Sequence, residues 1–499
     1  MVTEPKHAFI SYVNEDAEQV DRLCGVLSAA GIPYWRDRNA LGPGDEWKKK
    51  IRQAIKSGSL VFLACFSEHS RSRPKSYMNE ELTLAVDEFR QYAPGHTWLI
   101  PIRFDDGDLP EWDLGAGRTL SDLNYVNLFG EKYAEQGAAL VMAVAKLMGA
   151  LGPDAATARA AVQEASDSNR RAMMRRLTKE MVLEPNRRIE LDDLVNQEIS
   201  RILTAMRDDE QFPTSTLAGT ADEQIVTLAE LASRYWLMVE PFCWSLQVAA
   251  RWTEPATLSA WAKALQSLVG EATKVEGGNT ALLHLRYLPG LCATFTAALA
   301  ADGQGRWDNL KALLIDNTTY DGYQGQAPII RTITPHRPFP DFSNWVENTL
   351  ARSVLHSEDP STALKAFTGN KVGKYHTPAA EWLHHVLRPV FDEQFHDDES
   401  YNRAFDRAEI MLGVLSQYDQ DQLGKSGAFA QGSSWFGRST WRASHGHGAP
   451  LDDISAEAAA QGSQWPPLRD GLFGGDPDRA ATTITSFAEL FGQAARNRW

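Results

Sequence analysis

The first 149 residues alternate short apolar runs with longer segments of helical periodicity. Short runs of bulky apolar side chains are typical of buried strands, whereas apolar residues that recur every three to four positions predict amphipathic helices. The predicted strands are 7–12, 31–35, 60–66, 96–103 and 125–128, and the predicted helices are 15–30, 46–56, 77–89 and 134–148. This alternation predicts an α/β domain whose parallel sheet is covered by helices on both faces.

The remainder of the chain has a mainly helical pattern. Helices are predicted near 189–206, 221–251, 255–269, 279–301, 306–314, 342–356, 362–367, 379–393, 399–418 and 478–496. Gly and Pro between 149 and 154 break the preceding helix, so we predict one domain at 1–149 and a large mainly α-helical domain at 150–499. Residues 317–340 have little periodicity and predict a long loop, where the second domain could subdivide.

The segment 424–450 is dense in Gly and Ser and contains Trp435 and Trp441. Its composition is too rich in small residues for a helix prediction. Three alternatives remain open for it: a disordered insertion, a compact surface loop or a ligand-binding loop.

Composition excludes several classes of protein. A chain of 499 residues is too long for a single compact core, and a formal net charge of −15 argues against general binding to nucleic acid or to anionic membranes. The cysteines, Cys24, Cys65, Cys243 and Cys292, are far apart in apolar patterns, which favours buried thiols in a reducing compartment. Neither a signal peptide nor an apolar run of about 20 residues is visible, so we expect a cytoplasmic protein without a membrane partner.

A basic cluster follows the first predicted domain. It consists of Arg170, Arg171, Arg175, Arg176, Lys179, Arg187 and Arg188. A phosphate or nucleic-acid contact is one interpretation, but no aromatic residue lies among these cations to stack on a base. We therefore favour a solvated helix face or an interdomain ion-pair surface.

Histidines do not predict a metal centre. His384 and His385 are adjacent and cannot share a helix face, and His445 and His447 have no carboxylate or cysteine partner nearby in the sequence. We therefore predict that the protein binds no metal.

One carboxylate stands out as a candidate for chemistry. Glu81 lies in the first turn or two of the helix predicted from Tyr77, just beyond the carboxyl end of the strand 60–66. Ligands of open α/β sheets bind at that edge. An acid near a helix N-terminus is also an ordinary partner of the helix dipole, so position alone favours a structural role.

Three motifs in sequence order favour a functional role instead. They are Phe-Ile-Ser-Tyr at 9–12, Leu-Gly-Pro-Gly-Asp-Glu-Trp at 41–47, and an aromatic residue, Tyr77, four positions before Glu81-Leu82. Together they resemble a TIR domain over residues 5–149. The resemblance implies a flavodoxin-like parallel sheet for the first domain.

The resemblance also implies an activity. In many TIR domains a glutamate at this place cleaves the nicotinamide–ribose bond of NAD⁺, which would make Glu81 catalytic, partly solvent-facing and distinct from its neighbour Glu80. NAD⁺ would be the substrate, and no cofactor is needed. Tyr77 stands where the family usually has Trp. The residues expected to line the nucleotide cleft are Ser11, Tyr12, Asp37, Leu41, Gly42, Gly44, Trp47, Ser67 and Tyr77. Structural packing is the alternative for Tyr12 and Trp47.

The overall architecture resembles bacterial antiphage effectors. In such proteins TIR domains become competent when they stack, so the resemblance implies a homo-oligomer through TIR–TIR contacts. The helical region would then be a sensor or oligomerisation module for an unknown activating ligand or protein. NAD⁺ depletion would halt the infected cell, and the product could be linear or cyclic ADP-ribose. The alternative is a non-catalytic TIR scaffold that recruits other TIR domains.

Overall fold

A computed structural model describes most of the chain. The described residues are 7–36, 60–73, 75–90, 98–130, 132–148, 170–274, 277–320, 325–339, 344–370, 375–425, 432, 435–446 and 448–497. The chain divides into two compact units, an N-terminal unit, Met1–Arg170, and a helical unit, Arg171–Trp499. The predicted domain boundary at 149–154 lies outside the described residues.

The N-terminal unit is built around a parallel sheet. Its described elements are β1 (His7–Ser11), α1 (Ala17–Ala29), β2 (Tyr34–Trp35), β3 (Leu60–Phe66), α2 (Glu68–Arg71), α3 (Tyr77–Phe89), β4 (Leu99–Arg103), β5 (Asp113–Gly115), β6 (Arg118–Thr119), β7 (Val126–Asn127) and α4 (Tyr133–Leu147). The described strands of the main sheet run parallel in the order β2-β1-β3-β4-β7. This is the flavodoxin-like order, so the predicted fold class is confirmed.

The strands supply both faces of this sheet with apolar side chains, because successive residues of a strand point to opposite sides. On β3, Val61, Leu63 and Cys65 pack into a cluster with α1 and α4. Phe62 and Ala64 pack on the other face, against α3. The apolar run at 60–66 is therefore a strand buried on both faces, as its unbroken hydrophobicity predicts.

Some boundaries differ from the sequence prediction. The strand predicted at 31–35 begins only at Tyr34, because Gly31 takes a positive φ of 67° and ends α1. Residues with a side chain rarely adopt that backbone conformation, so glycine is favoured at this turn. Between Ser67 and Tyr77 a short helix, α2, stands where the sequence predicted only a polar loop. The hairpin β5–β6 was not predicted.

The helical unit begins with a helix, α5, over 170–182. Its other described helices are α6 (Arg188–Met206), α7 (Ala221–Trp252), α8 (Ser259–Thr273), α9 (Thr280–Leu285), α10 (Leu288–Asp302), α11 (Trp307–Leu314), α12 (Ile329–Thr332), α13 (Trp345–Leu355), α14 (Pro360–Asn370), α15 (Pro378–Leu387), α16 (Asp398–Lys425), α17 (Arg438–Ser444), α18 (Pro450–Gln461), α19 (Pro466–Arg469) and α20 (Pro477–Asn497). The prediction of a large, mainly helical region is confirmed.

Helix α10 lies at the centre of this unit. Its residues from Leu288 to Ala301 are all buried, and a helix that is apolar on every side is typical of a core position. It packs most extensively against α7, which runs through Pro241 as one helix although proline inside a helix often kinks or breaks it.

The described part of the segment 317–340 contains more regular secondary structure than its sequence predicted. Strands β8 (Thr318–Tyr320) and β9 (Gln326–Pro328) pair as an antiparallel hairpin, and α12 follows directly. Ile329, Ile330 and Ile333 are fully buried in the core of the helical unit. The predicted long loop is therefore wrong for the described part of this segment.

The first half of the described residues 435–446 belongs to the core: 435–440 are buried, whereas 444–446 are exposed. Trp435 is buried, and Phe436 stacks on Phe487 of α20 with ring centroids 5.8 Å apart. Trp441 stacks on two imidazoles, His445 at 4.4 Å and His376 at 5.8 Å. Both tryptophans thus have packing roles, and this part of the segment is an ordered strap rather than a disordered insertion.

The basic cluster at 170–188 forms ion pairs within the helical unit. Arg171 contacts both carboxylate oxygens of Glu240 at 2.9 and 3.0 Å. Arg175 pairs with Glu393 at 3.0 Å, and Lys179 contacts the same carboxylate. We had favoured a solvated helix face or an interdomain ion-pair surface for this cluster. These residues do form ion pairs, but the pairs described here join two parts of the same unit.

All four cysteines are buried as free thiols. Burial raises the pKa of Cys24 to about 11 and that of Cys243 to about 12, because an apolar environment disfavours the thiolate. Within the described ranges, no helix has both the length and the apolar character needed to cross a bilayer.

Candidate active site

The carboxyl ends of the parallel strands form one edge of the sheet, and polar side chains collect there. Ser11 is the last residue of β1, Ser67 follows β3, and Asp105 lies two positions beyond β4. The chain leaves β1 to form β2 on one side and then crosses to form β3 on the other. In open α/β sheets, ligands bind in the crevice at such a reversal of strand order.

Helix α3 brings Glu81 to this edge. The helix begins at Tyr77 because the side chain of Ser76 accepts a hydrogen bond from the Asn79 amide at 3.1 Å. One turn further on, Ser11 Oγ donates a hydrogen bond to Glu81 Oε2 at 2.7 Å. A hydrogen bond to an ionised carboxylate is stronger than one between neutral groups. The end of β1 and the start of α3 are therefore joined by these two side chains.

The two adjacent glutamates of α3 point in different directions, since neighbouring helix positions are about 100° apart. Glu80 is exposed, whereas only 7% of Glu81 is accessible to solvent. The expectation that Glu81 is partly solvent-facing is therefore wrong. The reason is its spacing: Glu81 lies three positions after Met78 and four before Ala85, on the face that packs against the sheet.

A second pair of hydroxyl and carboxylate lies at the same edge, on the opposite face of the sheet. Ser67 Oγ donates to Asp16 Oδ2 at 2.6 Å and also accepts the Ser70 amide at 3.2 Å as the N-cap of α2. Asp16 is fully buried, and its Oδ1 has no hydrogen-bond partner. Burial raises the pKa of Asp16, although the hydrogen bond from Ser67 opposes this. Ser67, expected to contact substrate, thus has a structural role in the described conformation.

Comparison with known families identifies this part of the chain. Residues 8–141 match the family model of the TIR domain. The match covers the parallel sheet and most of the helices around it, and it ends before the helical unit begins. No curated protein and no solved structure matches the chain.

Tyr12 of the TIR domain lies on the opposite face from Ser11, because the two are successive residues at a strand end. Its hydroxyl accepts a hydrogen bond from Arg36 Nε at 3.3 Å, and the guanidinium lies 5.8 Å from the centre of its ring. Arg36 also pairs with Asp21 of α1. Tyr12 and Ser11 were both expected to line one nucleotide cleft. In the structure their side chains contact different neighbours, Arg36 for Tyr12 and Glu81 for Ser11.

Cations at this edge are paired with acids. Arg71 contacts Asp105, which also accepts the amides of Glu68 and Gly107, and Arg73 pairs with Glu15. Burial by itself would raise the pKa of Asp105, but these hydrogen bonds and the guanidinium outweigh it and hold that pKa below its ordinary value. The loop after β4 is thus fastened to α2.

The other expected site residues are only partly described. Tyr77 is 71% exposed at the start of α3, four positions before Glu81. Asp37, Leu41, Gly42, Gly44 and Trp47 lie outside the described residues. The part of the candidate site that the structure describes is therefore the wall formed by β1, β3 and α3.

Sequence reasoning missed Asp16 and Asp105, the carboxylates at the ends of β1 and β4. Neither was singled out as a candidate from the sequence. Both lie shortly after a strand's carboxyl end, and that position was the available signal. Within the described ranges, no group of three His, Cys, Asp or Glu side chains is arranged to hold a metal ion.

Proposed function

We propose that this protein is an NAD⁺ glycohydrolase in which Glu81 is the catalytic carboxylate. The observation that carries the proposal is the position of Glu81: its Oε2 is held by Ser11 at 2.7 Å, at the edge where the order of the strands reverses. TIR domains include enzymes that hydrolyse NAD⁺ as well as scaffolds, and the motifs around Glu81 resemble those of the enzymes.

The chemistry requires little of the protein besides a positioned negative charge. Cleavage of a glycosidic bond passes through a transition state in which the sugar resembles an oxocarbenium ion. Nicotinamide leaves NAD⁺ as a neutral molecule, so no general acid has to protonate it. A carboxylate beside the ribose stabilises the developing positive charge, and preorganised electrostatics of this kind are often the largest catalytic effect. Water or the adenine ring then captures the ribosyl cation, giving linear or cyclic ADP-ribose.

The burial of Glu81 supports the proposal of an inactive resting state, in which assembly of TIR domains is needed to expose the carboxylate. With 7% of the residue accessible, little of Glu81 is open to a dinucleotide ribose in the described conformation. We therefore propose that stacking of TIR domains, controlled by the helical unit, exposes Glu81. The biological outcome would be NAD⁺ depletion in defence against phage, triggered by a ligand or protein that the helical unit senses.

The same burial favours the rival function, a non-catalytic TIR scaffold. A carboxylate that is covered and hydrogen-bonded is also what a purely structural role requires. A scaffold would use its TIR domain to recruit other TIR domains and would leave NAD⁺ intact.

Incubation of the purified full chain with NAD⁺ separates the two functions. Free nicotinamide is measured at rising protein concentrations, with and without a crowding agent, for the wild type, Glu81→Gln and Glu80→Gln. The Glu81→Gln side chain keeps an amide oxygen for Ser11 but loses the charge, so we expect turnover to fall at least about 100-fold while the melting temperature changes little. Glu80→Gln, the matched control at an exposed neighbour, should stay within about threefold of wild type.

Two results would overturn the enzymatic proposal. One is the absence of nicotinamide release by the wild type under every condition, including a lysate of phage-infected cells. The other is equal turnover by the wild type and Glu81→Gln. Equal loss in both variants would instead indicate damage to the helix that they share.

A further inference from the structure

We infer that Ser11 is a positioning residue for Glu81, and that its hydroxyl acts on the reaction by holding the carboxylate rather than by contacting the dinucleotide. The inference rests on the proposed function, because it assigns a role within that reaction. It replaces the substrate contact that the sequence predicted for Ser11.

The hydroxyl is presented from the end of a buried interior strand of the sheet. Strand β1 lies inside the sheet, and Ser11 is opposite Ala64 of β3 in the hydrogen-bonded ladder. Ser11 itself is fully buried. A group on a strand that is paired on both sides is placed more precisely than one on a loop. Ser11 Oγ is therefore a fixed point relative to the sheet.

Glu81 needs such a fixed point because its side chain is long. Three rotatable bonds separate the carboxylate from the backbone of α3, and ordering a glutamate side chain costs conformational entropy. The bond from Ser11 to Oε2 at 2.7 Å selects one orientation of the carboxylate and turns it toward the edge of the sheet. This ordering is complete before substrate arrives, so the reaction does not have to supply it.

The geometry argues against direct contact between Ser11 and substrate. None of the Ser11 surface is exposed, and its single hydroxyl proton is directed at Glu81. A dinucleotide oxygen that accepted a hydrogen bond from Ser11 would have to displace the catalytic carboxylate, because the hydroxyl has one proton. An opening that exposes Glu81 without separating β1 from α3 would leave this bond intact.

Steady-state kinetics of the full-length Ser11→Ala variant test this role. Loss of the hydroxyl removes this constraint on the carboxylate, and a misplacement of about 1 Å costs on the order of 100-fold in rate, so we expect kcat to fall 10- to 100-fold. KM should stay within about twofold, because no substrate contact is removed. Ser11→Cys keeps the shape with a weaker donor and should give an intermediate kcat.

Ser76→Ala is the matched control for structural damage. Ser76 caps the same helix but lies away from the carboxylate, so its loss should lower the melting temperature while kcat stays within about twofold. The inference is overturned if Ser11→Ala has wild-type kcat, if it raises KM with kcat unchanged, or if Ser76→Ala lowers kcat equally.

Failure of the proposed function would look different. In that case the wild type and Glu81→Gln release no nicotinamide, so kcat and KM of the Ser11 variants cannot be measured. Melting temperatures of Ser11→Ala, Glu81→Ala and the double variant then report on the pair alone. Non-additive shifts mean that Ser11 orders Glu81 without any NAD⁺ cleavage, whereas additive shifts overturn the positioning role itself.

Discussion

Arg438 Nη1 lies 2.8 Å from Asp406 Oδ1, and both side chains are buried in the helical unit. Arg442 Nε contacts the other oxygen of the same carboxylate at 2.7 Å. Asp406 belongs to α16, and both arginines belong to α17, the helix that follows the buried Trp435 and Phe436. This carboxylate therefore fastens the strap 435–446 to the core of the unit.

Asp406→Asn should destabilise the protein by about 3 kcal/mol, because two arginines lose the charge of the buried carboxylate that they share. Among the described contacts, Arg438 keeps the Glu381 carboxylate at 3.4 Å and the Asn402 oxygen at 2.8 Å, which compensate its buried guanidinium only in part. Urea unfolding of the full chain, monitored by circular dichroism, measures the change.

Glu399→Gln provides the comparison on the same helix. Glu399 pairs with Arg403 at 3.8 Å, but both side chains are largely exposed, so the variant should cost less than about 1 kcal/mol. Equal effects of the two substitutions would contradict the assignment of Asp406 as the anchor of the strap.

Glu409 predicts a dependence of stability on pH. It is buried next to the N-terminus of α17 and accepts the amides of Ser439 at 2.7 Å and of Arg438 at 3.2 Å. Burial raises the pKa of Glu409 to about 7, even though these hydrogen bonds oppose the shift. The folded protein then binds a proton that the unfolded chain has already released, so this contribution is fully present below about pH 4.5 and is lost as pH rises through about 7.

The free energy of unfolding of Glu409→Gln, measured between pH 4.5 and 8, isolates this effect. The difference from wild type should change by about 3 kcal/mol across that range. Glu381, Asp406 and His384 also titrate nearby, and Arg438 and Arg442 pair with Asp406. Because these groups are present in both proteins, the difference reports mainly on Glu409. Burial lowers the pKa of His384 to about 3. The unfolded chain then binds a proton that the folded protein does not, so this contribution to stability is lost as pH falls below about 6.5, the opposite direction to that of Glu409. A difference that does not vary with pH would refute the assignment.

Gly413 should not tolerate a side chain. A Cβ at this position of α16 would overlap the ring of Phe487 on α20, so Gly413→Ala should destabilise by about 1–3 kcal/mol although alanine favours helices. Gly492 on α20 has no atom closer than 3.7 Å to such a Cβ, and Gly492→Ala should stabilise by up to about 1 kcal/mol. Thermal unfolding of both variants checks the predicted opposite signs.

Ser67→Ala tests the structural role of the second hydroxyl at the sheet edge. It removes the N-cap of α2 and also the hydrogen bond to the buried Asp16, so we expect a loss of about 2–3 kcal/mol. Ser76→Ala removes only a cap and should cost about 1 kcal/mol. Chemical denaturation of the two variants compares these losses, and equal values would mean that Asp16 does not depend on Ser67.

Much of the TIR domain is visible in local sequence. The strand at 60–66 and the helix at 77–89 have the predicted limits, because a buried strand and an amphipathic helix each leave a periodic trace in consecutive residues. Errors occur where one residue changes the backbone direction. Gly31 is one example, since its positive φ ends α1 and delays β2 by three residues.

The segments 317–340 and 424–450 were harder to predict for a different reason. The first is rich in Gly, Thr and Pro and the second in Gly and Ser, and such compositions are typical of loops. Ile329 and Trp435 are nevertheless buried, because helices far away in the chain provide their neighbours. Composition describes the residues of a segment and carries no information about what packs against them.

Periodicity was enough to determine the α/β character of the first domain and the helical character of the second, and the resemblance of its motifs to TIR domains pointed to Glu81 as the candidate carboxylate. These properties depend on residues close together in the chain, where covalent geometry relates spacing to direction. Only the tertiary structure decided that Ser11 holds Glu81, across 70 residues, and that Arg438 meets Asp406, across 32. Such contacts depend on how sheets and helices pack around a core, which local sequence does not specify.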